Sequence, residues 1–224
     1  MDAQEALLTT RAMRRFTAED VSDAEVWTCL RAAAQAPSGG NAQPWHFLVV
    51  RDRARKQVLA AIYRRAYDRY ERALDTATPH FRSDAERESF ARTRRAARHL
   101  AEHLDESPVL VLVLMARIDL TLRDAEGPID IGTVGASVYP AVQNLMVAAR
   151  ALGIGTALTT VCRAAWDEVR AVCDVPDRFE LAALVPMGRP RGRFGRAPRK
   201  PVAVVTSWDR FGERREAPPE GAAP

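Results

Sequence analysis

Residues 36–47 read Ala-Pro-Ser-Gly-Gly-Asn-Ala-Gln-Pro-Trp-His-Phe, and the apolar residues 48–50, Leu-Val-Val, follow directly. This stretch joins a predicted helix, Asp23 to Gln35, to a predicted strand, Phe47 to Arg51. A loop of Pro, Ser, Gly and Asn exposes backbone N–H groups and lets a flat or anionic ligand approach the main chain. The same composition is typical of an ordinary turn. The loop alone therefore leaves both interpretations open.

Three other segments occur with this loop. They are residues 10–16 (Thr-Arg-Ala-Met-Arg-Arg-Phe), residues 140–156 (Pro-Ala-Val-Gln-Asn-Leu-Met-Val-Ala-Ala-Arg-Ala-Leu-Gly-Ile-Gly-Thr) and residues 198–205 (Pro-Arg-Lys-Pro-Val-Ala-Val-Val). Together with Gln43-Pro44-Trp45 they resemble the signature motifs of the FMN-dependent nitroreductase family. The resemblance extends from about Thr10 to Phe211, and the motifs stand in the family's order.

The resemblance implies an α+β fold in which a central, mostly antiparallel sheet is flanked by helices. It also implies a homodimer with two FMN molecules at the subunit interface, in which the last strand, Val202 to Ser207, crosses to the partner's sheet. We expect a single FMN-binding domain over residues 1–216, with a helical lid or insertion at 64–106. The Pro-, Ala- and Gly-rich tail, 217–224, is predicted to be disordered.

Composition agrees with one compact domain, since 47% of the 224 residues are hydrophobic and 28% are charged. No run of about 18 apolar residues occurs, so we expect a soluble, cytoplasmic protein without a membrane partner. A net charge of +4 is too small to argue for nucleic-acid binding. Cys29, Cys162 and Cys173 form no C-x-x-C pair and are expected to be reduced, buried thiols.

Periodicity and turn residues predict the remaining elements. Ser22 or Asp23 is expected to cap the helix over 23–35, with Glu25 in its first turn. The segment 109–115 is apolar without alternation, which predicts the centre of a sheet buried on both faces. Further helices are expected at about 3–10, 54–67, 132–152 and 163–173, and further strands at 179–186 and 202–207.

Three residues are expected to shape these helices. Pro79 divides the charged segment 64–106 into two helical arms. Pro140 is expected to bend the long helix over 132–152 or to mark the start of its regular part. Gly153 suits the C-terminal end of that helix.

The resemblance assigns cofactor-binding roles to several residues. Arg11 and Arg14 fall where family members contact the FMN phosphate and ribityl chain, and Arg199 falls at the matching phosphate position near the C-terminus. The chain departs from the family here, because Thr10 replaces an arginine and Ala12 replaces a serine. The residues expected to line the isoalloxazine and ribityl from the partner subunit are Pro37, Ser38, Gly39 and Asn41.

By the same resemblance, Leu158, Thr159 and Thr160 lie where related proteins approach the flavin N5. Thr160 is the candidate hydrogen-bond partner of N5. Ala12 belongs to the opening motif and is included among the cofactor contacts. The alternative is that residues 155–161 simply enter a strand.

Tyr63, Tyr67 and Tyr70 are spaced i, i+4 and i+7 and therefore lie on one helical face. This face either packs on the domain or forms a lid that holds a planar substrate, with Tyr67 and Tyr70 as the substrate contacts.

Other constellations are weaker. His99 and His103 lack a third metal ligand and are interpreted as surface histidines, so no metal site is predicted. His46 is expected to pack or hydrogen-bond locally. No spacing suggests a Ser/His/Asp or Cys/His catalytic set, which suits a flavoenzyme because the cofactor performs the redox step.

The resemblance therefore implies an FMN-dependent oxidoreductase. In such an enzyme NADH or NADPH reduces the flavin and leaves the pocket, and a nitroaromatic or quinone-like acceptor then takes the place of the nicotinamide. Because donor and acceptor would bind in turn at the same pocket, the enzyme would show ping-pong kinetics. Two alternatives stay open on the same scaffold: a flavin-dependent dehydrogenase or dehalogenase of a specialised substrate, and a non-catalytic FMN-binding or storage protein.

Overall fold

The structure is a computed structural model that describes residues 1–77 and 80–216. Its α-helices are α1 (Ala3–Thr9), α2 (Asp23–Ala34), α3 (Arg53–Thr76), α4 (Asp84–Glu102), α5 (Gly135–Ala151) and α6 (Trp166–Val172). Its strands are β1 (Trp45–Val50), β2 (Val109–Ala116), β3 (Leu122–Asp124), β4 (Gly127–Ile129), β5 (Gly155–Thr156) and β6 (Phe179–Gly188). Single 3₁₀ turns lie at Gly39–Asn41, Leu104–Glu106, Val161–Ala165 and Val202–Val205.

The main sheet is antiparallel throughout, with strand order β1-β2-β6-β5, while β3 and β4 form a separate hairpin. Leu112 of β2 pairs with Leu48 of β1 on one side and with Leu184 of β6 on the other. Since β2 lies between two strands, its backbone groups are paired along both edges. The predicted central strand and the predicted α+β fold are both confirmed.

Two helical layers cover the two faces of this sheet. The leucines of β2 at positions 110, 112 and 114 face α3, α4 and α6, where they pack with Leu59, Leu100 and Val169. The valines at positions 109, 111 and 113 face α2 and α5, where they pack with Cys29 and Leu145. Successive side chains of a strand point to opposite faces. An unbroken apolar run is therefore what a strand between two helical layers requires.

The ends of α2 and α5 follow local sequence signals. Ser22 Oγ accepts a hydrogen bond from the Glu25 N–H (3.3 Å), and the Glu25 carboxylate accepts one from the Ser22 N–H (2.9 Å), which completes a capping box. Gly153 has φ +73° just after α5, and the Ile154 N–H reaches back to the Ala149 carbonyl (2.8 Å). Both predicted helix ends are confirmed. The helix α5 begins at Gly135, so Pro140 lies in its second turn.

The predicted last strand, which would pair with a partner subunit, is not formed within the single chain. Within Val202 to Ser207 the structure has one 3₁₀ turn, Val202–Val205. The valines at positions 202, 204 and 205 are 66%, 50% and 65% exposed. No strand of the described residues runs beside this segment, so its β-branched side chains have no pleated surface on which to pack.

Other boundaries differ in detail. The helix α3 continues to Thr76, beyond the predicted end at Tyr67, and α6 begins at Trp166 after a 3₁₀ turn rather than at Arg163. Two helical arms, α3 and α4, are present, but Pro79 and the tail 217–224 lie outside the described residues. None of the helices that the structure describes is long and apolar enough to cross a membrane.

Candidate active site

A cavity of about 550 Å³ lies between α3, α4 and the segment that follows β5. The helix α3 contributes Tyr63, Tyr67 and Tyr70, and α4 contributes Thr93 and Ala97. The opposite wall is formed by residues 158–161 and by Arg163, while Arg14 enters from the N-terminal segment. The cavity therefore brings together Arg14, Leu158, Thr159 and Thr160 with the candidate substrate residues Tyr67 and Tyr70.

The backbone of this wall is held by the sheet. The Thr159 N–H donates to the Leu184 carbonyl (3.0 Å), and the Leu184 N–H donates to the Thr159 carbonyl (2.8 Å). The N-terminal segment is fixed in the same way, because the Met13 N–H donates to the Thr156 carbonyl (2.7 Å). Arg14 and Thr159 are thus presented by backbone that is bonded to one sheet edge.

Arg14 is half-buried, and burial lowers the pKa of its guanidinium, while the Tyr63 and Tyr67 phenols act in the opposite direction. Within residues 1–77 and 80–216 its guanidinium makes no hydrogen bond or salt bridge to another group. No carboxylate lines the described part of the cavity. A partly desolvated cation without a counter-ion is a binding site for an anionic or strongly electronegative group.

The tyrosine face is both structural and part of the cavity wall. Tyr63 and Tyr67 are each 2% exposed and belong to the core, whereas Tyr70 is 47% exposed. The rings of Tyr67 and Tyr70 have centroids 6.0 Å apart, and the Arg98 guanidinium lies 4.9 Å from the Tyr67 ring centroid. Arg98 also pairs with Asp68 and Glu71 and so joins α4 to α3.

The other predicted cofactor residues lie elsewhere. Pro37, Ser38, Gly39 and Asn41 belong to a loop that contains three sites of positive φ, at Gly40, Asn41 and Gln43. The Gln43 N–H donates to Ser38 Oγ (3.0 Å), and the Gly39 N–H donates to Ser137 Oγ of α5 (3.2 Å). None of the four lines the cavity.

The remaining basic residues and Ala12 are also separate from the cavity. Arg11 is exposed, and Ala12 forms a parallel bridge with Thr156. Arg199 is exposed and donates to the carbonyl of the adjacent Pro198 (3.0 Å). The cavity of the single chain therefore brings together four of the eleven predicted cofactor contacts: Arg14, Leu158, Thr159 and Thr160.

Several lining residues were not assigned a role from the sequence, among them Tyr63 and Arg163. Tyr63 belongs to the predicted tyrosine face, and its phenol oxygen lies 3.0 Å from Thr159 Oγ1. Arg163 bonds the Leu181 carbonyl and approaches Glu180 (3.4 Å). The tyrosine spacing indicated Tyr63, but no sequence signal indicated Arg163, because its position depends on how 161–165 packs against β6.

The thiols and histidines lie outside this cavity. Burial raises the pKa of the Cys162 thiol to about 12 and that of Cys29 to about 11, so both stay protonated near neutral pH. The rings of His99 and His103 have centroids 4.3 Å apart. No group of three His, Cys, Asp or Glu in the described part of the chain is arranged to hold a metal ion.

Comparison with known proteins places this geometry in a family. The family model described as "Nitroreductase family" matches residues 7–189. The 5,6-dimethylbenzimidazole synthase of Rhodospirillum rubrum is 32% identical over 206 residues, which cover 87% of this chain and 89% of that protein. The NADH dehydrogenase of Thermus thermophilus is 25% identical (93% and 96% covered), and the iodotyrosine deiodinase of Thermotoga neapolitana is 27% identical (87% and 91% covered). A 49% identical match to an Archaeoglobus fulgidus protein spans 47 residues and only 27% of that protein.

Solved structures agree with the sequence relatives. A nitroreductase-like protein from Desulfovibrio desulfuricans, solved in complex with FMN, is 27% identical, with a TM-score of 0.65 over 94% of this chain and 98% of that one. An iodotyrosine deiodinase bound to FMN and 3-iodo-L-tyrosine has a TM-score of 0.72 at 24% identity and covers 94% of this chain and all of that one, which shows a shared fold. The chain belongs to the nitroreductase family.

Proposed function

We propose that this protein is an FMN-dependent oxidoreductase whose active site includes the cavity between α3 and residues 158–164. The observation that carries the proposal is Arg14, a half-buried guanidinium that lacks a counter-ion among the described residues and opens into an aromatic cavity. FMN is bound in the Desulfovibrio desulfuricans relative. Bound FMN supplies reversible hydride-transfer chemistry, and the protein positions and polarises the reactants.

The residues present fit such a cofactor. A flavin nucleotide is anionic at its phosphate and carries hydrogen-bond acceptors along its ring, and the described cavity offers a cation and hydroxyl groups but no carboxylate. In this proposal Arg11 and Arg199 hold the phosphate, Arg14 contacts the ribityl chain or ring, and Thr159 or Thr160 contacts the ring edge. Ala12 has no polar side-chain atom, so in this proposal only its backbone contacts the cofactor.

Because the loop 37–41 lies apart from the cavity, we propose that a second copy of the chain supplies it. Sequence and structure offer a way to assemble this homodimer. The strand β1 lies at an edge of the sheet, beside a groove of about 770 Å³ lined by Trp27, Trp45 and Phe47. The valines at 202, 204 and 205 are exposed, and residues 202–207 would become a strand by pairing with the partner's β1.

For the reaction, we propose that NADH or NADPH donates a hydride, leaves, and is replaced by a nitroaromatic or quinone-like acceptor. The NADH dehydrogenase relative supports a nicotinamide donor. The second candidate is reductive dehalogenation of an aromatic substrate. The tyrosine face at Tyr67 and Tyr70 favours it, because aromatic rings that line a cavity can pack against a planar aromatic group, and a deiodinase is among the relatives.

The test begins with purified protein. We expect yellow protein that releases FMN, not FAD, on denaturation, and anaerobic loss of its colour with NADH or NADPH. Re-oxidation by a nitroaromatic, a quinone and a halogenated tyrosine then ranks the candidate functions. Colour that persists with both nucleotides would favour a storage protein or another hydride donor, whereas colourless protein that cannot take up FMN would overturn the proposal.

The tyrosine face is tested separately. Tyr70→Ala is expected to change the order of preference among acceptors by several-fold while the FMN content stays the same, because Tyr70 is half-exposed at the cavity and outside the core. Tyr67→Ala also removes a ring from the core, so it shows which effects come from lost packing rather than from a lost substrate contact. Identical kinetics of Tyr70→Ala and wild type across all acceptors would remove the lid hypothesis.

A further inference from the structure

The phenol of Tyr63 makes a buried contact that the proposed chemistry does not use. Its oxygen lies 3.0 Å from Thr159 Oγ1, on the cavity wall, and the ring is 2% exposed. Thr159 is half-buried and lines the cavity, so its hydroxyl contacts Tyr63 and is also accessible to a ligand in the cavity.

The direction of this hydrogen bond follows from counting donors. If Thr159 donated to Tyr63, the buried phenol proton would have no acceptor among the described residues. Leaving a buried donor unpaired costs roughly 1–3 kcal/mol. If Tyr63 donates instead, both hydroxyls are satisfied, because the Thr159 proton can be accepted by whatever occupies the cavity. Burial also raises the pKa of Tyr63 to about 12, so the phenol keeps its proton over the working pH range.

A second donor fills the remaining acceptor position of Thr159. The Val161 N–H lies 3.4 Å from Thr159 Oγ1. A hydroxyl oxygen has two lone pairs and one proton. With both lone pairs facing donors, Tyr63 and the Val161 N–H, Thr159 has only its proton left for a ligand. Thr160, the candidate chosen from the sequence, has no comparable side-chain contact among the described residues.

We infer that Tyr63 is a positioning residue that fixes the Thr159 hydroxyl as a hydrogen-bond donor aimed at an acceptor atom of bound FMN. This inference rests on the proposed function. It assigns the ring-edge contact to Thr159 rather than to Thr160, and it gives α3 a role in cofactor binding besides that of a lid.

The test is a double-mutant cycle on FMN binding to apoprotein, read as the dissociation constant and as the visible absorption maximum of the bound flavin. Thr159→Val removes the donor at nearly constant volume and is expected to weaken binding about three- to tenfold, which corresponds to one hydrogen bond. Tyr63→Phe is expected to produce part of that loss and a spectral shift in the same direction. Because Tyr63 acts through Thr159, the double variant should resemble Thr159→Val alone.

Two controls separate positioning from packing. Tyr139→Phe also removes a phenol that bonds a neighbour, the Ala182 carbonyl (3.2 Å), but Tyr139 does not line this cavity, and we expect unchanged FMN binding. Thr159→Ser keeps the hydroxyl and should retain most of the affinity. The effect of Tyr63→Phe should be constant between pH 6 and pH 9, since a phenol with a pKa of about 12 does not titrate there.

Additive losses in the cycle, or wild-type affinity and spectrum in Thr159→Val, would overturn the inference. If Tyr63→Phe fails to fold, wild-type affinity and spectrum in Thr159→Val still overturn the inference, since Tyr63 is proposed to act through the Thr159 hydroxyl. A wild-type protein that does not bind FMN would instead overturn the proposed function. An effect confined to the KM of the acceptor, with FMN binding unchanged, would contradict the assignment of Thr159 to the cofactor.

Discussion

The strand β2 and the C-terminal segment 202–207 have similar sequences but different structures. Residues 109–115 read Val-Leu-Val-Leu-Val-Leu-Met and form the centre of the sheet, whereas residues 202–207, Val-Ala-Val-Val-Thr-Ser, contain a single exposed 3₁₀ turn. Both runs suit a strand by composition. The difference shows that β-propensity becomes a strand only where another strand and a packed layer are available.

The candidate site likewise contains residues held by the sheet and residues in an exposed segment. Arg14 and Thr159 lie on backbone that is bonded to the sheet within one chain, while Arg199 lies in the exposed C-terminal region. We therefore regard the first group as preformed and the second as dependent on the proposed partner. Four measurements would sharpen or break this comparison.

The largest effect is expected in the sheet centre. Leu112→Ala should lower the free energy of unfolding by about 2–5 kcal/mol, because the side chain is 1% exposed and its loss leaves a cavity. Leu122→Ala, at a site 53% exposed in β3, is the matched control and should change it by less than about 0.5 kcal/mol. Denaturant unfolding of both variants measures the difference. Equal effects would contradict the description of β2 as the core strand.

The next effect concerns cofactor retention by the exposed region. Arg199→Ala should weaken FMN binding roughly 10- to 100-fold, since a charge-assisted hydrogen bond to phosphate contributes about 1.5–3 kcal/mol. Arg53→Ala, another exposed arginine at the start of α3, is the control and should leave the dissociation constant unchanged. Titration of apoprotein with FMN gives both values. Wild-type affinity in Arg199→Ala would mean that the phosphate is held elsewhere.

A third measurement asks whether the C-terminal segment is covered in solution. Val204→Asp should weaken the proposed dimer about tenfold or more, because the charge would be buried against the partner's β1. Val58→Asp introduces the same charge at a similarly exposed valine, 47% against 50%, and should leave assembly unchanged. Sedimentation or light scattering over a range of protein concentrations reads the result. A flavin-loaded wild-type monomer would contradict the dimer altogether.

The smallest effect is expected for the ion pair between Arg189 and Glu25, which joins the end of β6 to α2. Arg189, just after β6, donates to the Glu25 carboxylate of α2 (2.7 Å), and this bond lowers the pKa of Glu25. The stabilisation is present above the unfolded pKa, about 4.3, and is lost as the pH falls through the lower folded value. Glu25→Gln keeps a capping residue and should cost less than about 1 kcal/mol at pH 7.

The pH dependence is the check on that pair. The difference in unfolding free energy between wild type and Glu25→Gln should shrink progressively as the pH falls below about 4. A difference that persists undiminished at pH 3 would assign the effect to capping or packing rather than to the ion pair.

Local signals predicted much of the fold. The Ser22–Glu25 capping box, the Gly153 helix end and the apolar strand 109–116 depend on residues that are near one another in the sequence, and all three are present. The motifs at 10–16, 36–47, 140–156 and 198–205 likewise indicated the family that the comparisons confirm. The roles of the site residues remain predictions.

The sequence by itself determined which segments form helices and which run fills the sheet centre, because capping, periodicity and unbroken apolarity are properties of neighbouring residues. Only the tertiary structure decided that residues 202–207 lack a strand partner within the chain, and that Tyr63 meets Thr159 across 96 positions. Both outcomes depend on which surfaces the folded chain brings together. Contacts between distant segments are set by packing of the whole domain, so no local pattern encodes them.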